Sequence, residues 1–135
     1  MPLIRIAEAA SLLGVSDDTV RRWVDSGALT AARDPSGRAA VDGAQLAELA
    51  RRHANAPRDA SGVGRSARNS LVGLVTNVIE DKVMAQVELQ CGPYRVVSLM
   101  SSEAVRDLGL EPGSVATAVV KATNVIVEIA VRKAQ

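Results

Sequence analysis

The apolar residues of this chain change their spacing partway along it, and no single regular architecture accommodates both spacings. Up to about residue 53 they recur three and four apart, the period of a helix face. From about residue 71 they alternate, the period of a strand with one buried face. Between the two lies "ANAPRDASGVGR", residues 54–65, rich in Gly, Ala, Ser and Pro, which reads as a flexible linker. A chain of 135 residues can hold one ordinary domain or two small ones, and the change of period selects two. The predicted organisation is a helical domain over residues 1–53, a linker over 54–65 and a β domain over 66–135.

In the helical part, Ala7, Ala10, Leu12 and Leu13 share a face and Gly14 ends the helix. Ser16 then caps "DDTVRRWVDS", with Asp17 and Asp18 in the first turn, where the positive end of the helix dipole favours carboxylates. Val20, Trp23 and Val24 share the inner face of this helix. "LTAARDPSGRAAV" reads as two short extended runs around an Asp-Pro-Ser-Gly turn. A third helix follows over "DGAQLAELARRHA", with Leu46, Leu49 and Ala50 inward. The β part reads as five strands: "LVGLVTNVIE", "KVMAQVELQ", "YRVVSLM", "VATAVVK" and "NVIVEIAVR". In the last of these Val125, Val127, Ile129 and Val131 alternate. A short helix, "SSEAVRDLGL", sits between the third and fourth strands. Five short strands and one helix in this length predict a small OB-like β barrel, so the fold class is α+β in two domains. Aromatics are limited to Trp23 and Tyr94, so both cores must be built from Val, Leu, Ile and Ala.

Several function classes are set aside by what is missing. No apolar run approaches the ~20 residues that cross a bilayer, and the N-terminus lacks the shape of a signal peptide. The expectation is a soluble, cytoplasmic protein with no membrane partner. Cys91 and His53 each stand alone, so neither a disulfide framework nor a zinc cluster is expected. No nucleophile–base pair or phosphate loop is visible, and no enzymatic activity is expected. Net charge is +1, and residues 1–52 and 66–135 each hold seven basic and seven acidic residues. Neither half is a basic body, so any nucleic-acid contact must rest on local placement.

Such placement occurs at the second helix. A helix, a glycine turn and a second helix bearing Arg21 and Arg22 form the layout of a DNA reader, with the start of the second helix at the base edges. The residues there are Ser16, Asp17, Asp18, Thr19, Arg21 and Arg22. Arginine can grip guanine through two hydrogen bonds or clamp phosphate. Arg33 and Arg38 flank the hairpin and can lean on the DNA backbone. The stretch "AEAASLLGVSDDTVRRWVDSGALTAARDPSGR" resembles the MerR superfamily, most closely its short BldC-like and excisionase-like members. The resemblance implies a winged helix-turn-helix with the hairpin as wing, and DNA as partner. After the wing glycine the run Arg38-Ala39-Ala40-Val41-Asp42 is poorer in basic and aromatic residues than is usual there, which implies a weak wing grip.

The β domain carries two polar knots, Ser66-Ala67-Arg68-Asn69 and Lys121-Ala122-Thr123-Asn124, each against an apolar strand. Each joins a cation to small hydroxyl residues and an alanine that leaves the backbone N–H groups accessible. These suit a compact tetrahedral dianion, which is costly to desolvate and needs charge-assisted donors on many sides. Both knots are equally ordinary strand boundaries. "SARNSLVGLV", "SSEAVRDLGLEPGS" and "AVVKATNVIV" are similar to the three signature segments of the Mop/TOBE family, the molbindins, over residues 66–131. The resemblance implies a β-barrel module that binds molybdate or tungstate at subunit interfaces. It implies Ser66, Ala67, Arg68, Lys121, Ala122 and Thr123 as the oxyanion site, with Ser101, before the short helix, as a further candidate. The sequence leaves open whether both halves of this clasp come from one subunit.

The reading that joins the halves is a molybdate- or tungstate-responsive, DNA-binding transcriptional regulator that self-associates as a dimer or hexamer. The alternative is an intracellular molybdate or tungstate storage protein with an accessory helical head.

Overall fold

The computed structural model describes residues 2–58 and 62–130. The chain divides into two compact units, Met1–Asn55 and Ala56–Gln135.

The first unit opens on a strand that the periodicity does not announce, β1 (Leu3–Arg5), followed directly by α1 (Ile6–Leu13). Gly14 closes α1 in the left-handed conformation, φ 67°, and Val15 N–H returns to the Ala10 carbonyl at 3.0 Å. α2 (Asp17–Asp25) starts at Ser16, whose hydroxyl accepts the Thr19 N–H at 3.2 Å. β2 (Ala31–Arg33) and β3 (Ala39–Asp42) pair antiparallel, and β3 pairs with β1 on its other side, giving the order β1-β3-β2. α3 (Gly43–His53) is capped by Asp42, which accepts the Ala44 N–H at 3.2 Å. Ala9, Ala10, Val20, Leu29, Val41, Leu46 and Leu49 form the buried cluster, with Trp23 and Val24 packed against it. Trp23 also sets its ring 5.6 Å from that of His53.

The second unit is an antiparallel sheet in the order β6-β5-β4-β7. Its strands are β4 (Asn69–Glu80), β5 (Met84–Cys91), β6 (Tyr94–Ser101) and β7 (Val115–Val120), with α4 (Ser102–Leu108) between β6 and β7. The alternation of β5 is the clearest in the chain: Ala85, Val87, Leu89 and Cys91 all face inward. With Val75 from β4 and Val105 from α4 they form the core. A bulge between Val75 and Asn77 bends β4, the usual effect of one extra residue in a ladder. At Gly73 the strands close tightly: a Cβ there would lie 2.5 Å from the Gln90 carbonyl oxygen and 2.6 Å from Cys91 Sγ. Ser102 is fully buried and ties α4 to the β4–β5 turn, its hydroxyl donating to the Asp81 carbonyl and its N–H to the Val83 carbonyl, each at 2.8 Å. The Asp81 carboxylate in turn accepts the N–H groups of Val83 and Met84, each at 2.8 Å, and these bonds hold it below the usual carboxylate range.

The expected fifth strand is corrected. Among the described residues the sheet has four strands, and residues 125–130 belong to none; Val131 and Arg132 lie outside the described residues. Alternation records that a segment buries one face, but it does not say which chain supplies the sheet. Both sheet edges, β6 and β7, border an apolar groove of about 500 Å³ lined in part by Leu89, Val96, Met100, Leu110, Ala116 and Ala118.

Candidate functional site

The β4–β7 ladder brings the two polar knots together. Its last pair is Asn69 opposite Val120, and the Asn69 side chain donates to the Val120 carbonyl at 3.2 Å, sealing the ladder end. Ser66-Ala67-Arg68 runs into one strand of this pair, and Lys121-Ala122-Thr123 leaves the other. The two knots, separated in sequence by the whole of β4, β5, β6, α4 and β7, are therefore neighbours within one chain. Ser66, Arg68, Lys121, Ala122 and Thr123 are exposed and Ala67 half-buried.

Lys121 is followed by a 3-10 turn, Ala122–Asn124, in which Asn124 N–H returns to the Lys121 carbonyl at 2.9 Å. The N–H groups that open such a turn have no acceptor within it. Among the described residues, no acidic side chain lies within ion-pair distance of Arg68 or Lys121. That sets them apart from Arg95, which is paired with Glu88, and Arg51, which is paired with Glu48. This end of the sheet thus offers a planar guanidinium, an ammonium, two hydroxyls and open backbone donors. All of these are donors suited to oxyanion oxygens.

Ser101 does not join them. It ends β6 opposite Met84, at the far end of the sheet from the clasp. β4 has 12 residues, so roughly 35 Å of strand path at ~3.3 Å per residue separates the two ends. Its hydroxyl accepts the Ala104 N–H at 3.1 Å, capping α4. Within one chain the strand registers place it at the opposite end of β4 from the clasp.

In the first unit, three of the residues singled out for DNA form a connected row on α2. Ser16 Oγ lies 3.0 Å from Thr19 Oγ1, and Arg22 donates to the same Thr19 oxygen at 3.2 Å. Arg21 leans instead toward Asp18, at 3.5 Å. At the hairpin Arg33 donates to the Gly37 carbonyl at 2.8 Å, so one of its donors is spent on the turn. The Arg38 carbonyl accepts the Asp34 N–H and the Arg38 N–H donates to the Asp34 carboxylate, while the Arg38 side chain stays free among the described residues.

Sequence reasoning missed the pair that anchors this turn, Arg5 and Asp34. Arg5 Nε donates to Asp34 at 2.8 Å across 29 residues of sequence. Asp34 also accepts the N–H groups of Ser36 and Arg38, each at 2.9 Å. The Arg38 N–H foremost, and then the Arg5 guanidinium, hold its carboxyl below the usual carboxylate range. The turn chemistry announced Asp34; nothing local announced its partner.

Two family models match this chain: a TOBE domain over residues 65–127 and a helix-turn-helix domain over residues 3–54. Molybdenum-pterin-binding protein 3 of Clostridium pasteurianum is 41% identical over 63 residues, which is 46% of this chain and 93% of that protein. A probable molybdenum-pterin-binding protein of Haemophilus influenzae is 42% identical over 65 residues, 47% of this chain and 94% of its own length. Among solved structures, a molybdate binding protein from Sporomusa ovata is 33% identical and covers 50% of this chain and 100% of its own, with a TM-score of 0.48. Among the described residues no cluster of His, Cys, Asp and Glu could hold a metal cation, and no helix is long and apolar enough to cross a membrane.

Proposed function

We propose that this chain, which belongs to the TOBE-domain family through residues 65–127 and bears a helix-turn-helix domain over residues 3–54, is a molybdate- or tungstate-responsive DNA-binding regulator. The observation that carries the oxyanion half is the end of the β4–β7 ladder, where two cationic knots adjoin and, among the described residues, no acid lies in ion-pair range of Arg68 or Lys121. Arg68 supplies a fork for two oxygens, Lys121 a point charge, and Ser66 and Thr123 adjustable hydroxyl donors. The N–H groups of Ala67, Ala122 and Thr123 complete the set. Ser101 would reach an anion at this end only from a second chain, in a homo-oligomer. The relatives named for molybdenum-pterin binding support an oxyanion of this class, and no catalytic role is proposed.

On the DNA side Arg22, already oriented by Thr19, reads base edges together with Ser16 and Thr19. Arg21 and Arg38 contact phosphate, and Arg33 stiffens the hairpin, which serves as the wing. The oxyanion acts on DNA affinity only as far as it discriminates between assemblies of the chain.

Calorimetry with molybdate, tungstate and sulfate tests the first half. Tight molybdate or tungstate binding is expected, weakened at least about tenfold in Arg68→Ala and in Lys121→Ala, as removal of a charge-assisted partner costs ~1.5–3 kcal/mol. No tight binding to any of the three, or binding indifferent to both substitutions, would sink the oxyanion assignment. A salt-dependent gel shift with the wild type and Arg22→Ala tests the second half. The balanced charge of residues 1–52 favours a second reading, oxyanion storage with an accessory head. High ion-to-chain stoichiometry without any gel shift would select it.

A further inference from the structure

The positive charge of this chain is not spread along it. Residues 1–50 hold five basic and seven acidic residues, and residues 69–135 hold six basic and seven acidic ones. Between them, residues 51–68 hold five arginines, Arg51, Arg52, Arg58, Arg65 and Arg68, against the single acid Asp59. Both flanking parts therefore carry net negative charge, and a net +4 sits in the 18 residues that join them.

Affinity for any duplex, whatever its sequence, comes from phosphates neutralised by cations and from the counterions they release. The head up to residue 50 is on balance repelled by a phosphate backbone. Within it Arg5 is bound to Asp34, Arg21 leans toward Asp18 and Arg33 donates to the Gly37 carbonyl. A strong phosphate grip has to come from outside this part.

α3 brings the next arginines to the reading side of the head. His53, in its last turn, sets its ring 5.6 Å from that of Trp23, and Trp23 follows Arg22 on α2. The last turn of α3 thus adjoins the reading helix. Arg51 is spent locally, since its guanidinium donates to both carboxylate oxygens of Glu48. Arg52 and Arg58 are exposed, and among the described residues no acid lies within ion-pair distance of either. A cation in the last turn of a helix has an ordinary use, offsetting the negative end of the dipole. That accounts for Arg51 and Arg52. It does not account for Arg58, which lies beyond the helix, in a stretch that belongs to no helix or strand. Ala54 leaves α3 extended, at φ −61° and ψ 130°. The chain from Arg52 to Arg58 reaches at most about 20 Å. A duplex carries about one negative charge per 1.7 Å of its axis, so a stretch of that length meets phosphates along its whole course.

We infer that the chain from Arg52 to Arg58 is a second DNA contact, a basic arm that follows α3 off the head and lies along the phosphates beside the site read by α2. It grips the backbone and reads no base, and Arg68 is left to the oxyanion clasp. This rests on the DNA binding proposed above, and it assigns the sequence-independent share of that binding to the connector.

The test is fluorescence anisotropy of the full chain with a short labelled duplex of random sequence, across a salt series. Each phosphate contact contributes about −0.9 to the slope of log affinity against log salt. Arg52→Gln/Arg58→Gln is expected to make the slope shallower by about 1.8 and to lower affinity at least about tenfold at low salt. Arg52→Lys/Arg58→Lys should keep the wild-type slope, since an ammonium neutralises a phosphate where no base is read. The two variants together separate lost charge from lost folding. Lys82→Gln/Arg106→Gln removes the same charge from exposed positions of the second unit and should leave the slope unchanged. If wild type binds and Arg52→Gln/Arg58→Gln keeps its slope, the arm is overturned and DNA binding by the head still stands. An equal loss in Lys82→Gln/Arg106→Gln, or a loss that the lysine variant does not restore, would also overturn the arm. A wild type that binds no duplex at any salt would overturn both the arm and the DNA reading.

Discussion

At Gly73 a single hydrogen atom decides whether β4 and β5 can close. Gly73→Ala would drive a methyl group into the Gln90 carbonyl and Cys91 Sγ. The expected cost is about 1–3 kcal/mol, read as a lower unfolding midpoint of the second unit. Cys91→Ala in the same chain should rescue it little, because the Gln90 carbonyl remains in place. Asp34 makes the second prediction at this scale. Its carboxyl is held below the ordinary range by the Arg38 N–H and then by Arg5, so the stability it contributes is present above the unfolded carboxylate value. That stability is lost as pH falls through the lower, folded value. Asp34→Asn should therefore lower the unfolding midpoint of the first unit at neutral pH and make its decline in acid shallower, as a pH series of thermal melts would show. Both residues were half legible. An isolated glycine inside a strand marks a close approach, and Asp-Pro-Ser-Gly marks a turn. The partners, Cys91 with the Gln90 carbonyl and Arg5, are set by packing and pairing across the fold, which local patterns do not encode.

Elements whose ends carry their own chemistry were legible, and those that exist only through a partner were not. Ser16, Ser101, Gly14 and Gly109 sit at helix ends because a hydroxyl can satisfy an orphan N–H and glycine can take positive φ at no cost. α2 shows what such a cap carries beyond stability. Ser16→Ala should cost about 1 kcal/mol in the first unit's melt. It should also loosen Thr19, and with it the Arg22 donor that Thr19 accepts. If the row acts as a unit on DNA, Ser16→Ala and Arg22→Ala should show energies that are not additive in a gel-shift cycle. β1 is the opposite case. It has three residues, no cap and no turn signal, and is a strand only because β3 lies beside it. Residues 125–130 carry every local mark of a strand and are not one within the chain, since a strand also needs a free edge within reach. The clasp follows the same logic. Its residue types were legible, but their adjacency, and the separation of Ser101 from them within one chain, follow from strand registers that a resemblance does not report.

For the molecule as a whole, the turn at Lys121–Asn124 belongs to the proposed clasp and leads directly into the exposed residues 125–130. An oxyanion that orders this turn fixes the direction in which the following segment departs. Binding and association are then linked, and each must favour the other by the same factor. Molybdate affinity measured well above the dimer's dissociation concentration should exceed that measured well below it, by roughly 5–150-fold for couplings of ordinary size. Equal affinities would leave oxyanion binding and self-association uncoupled.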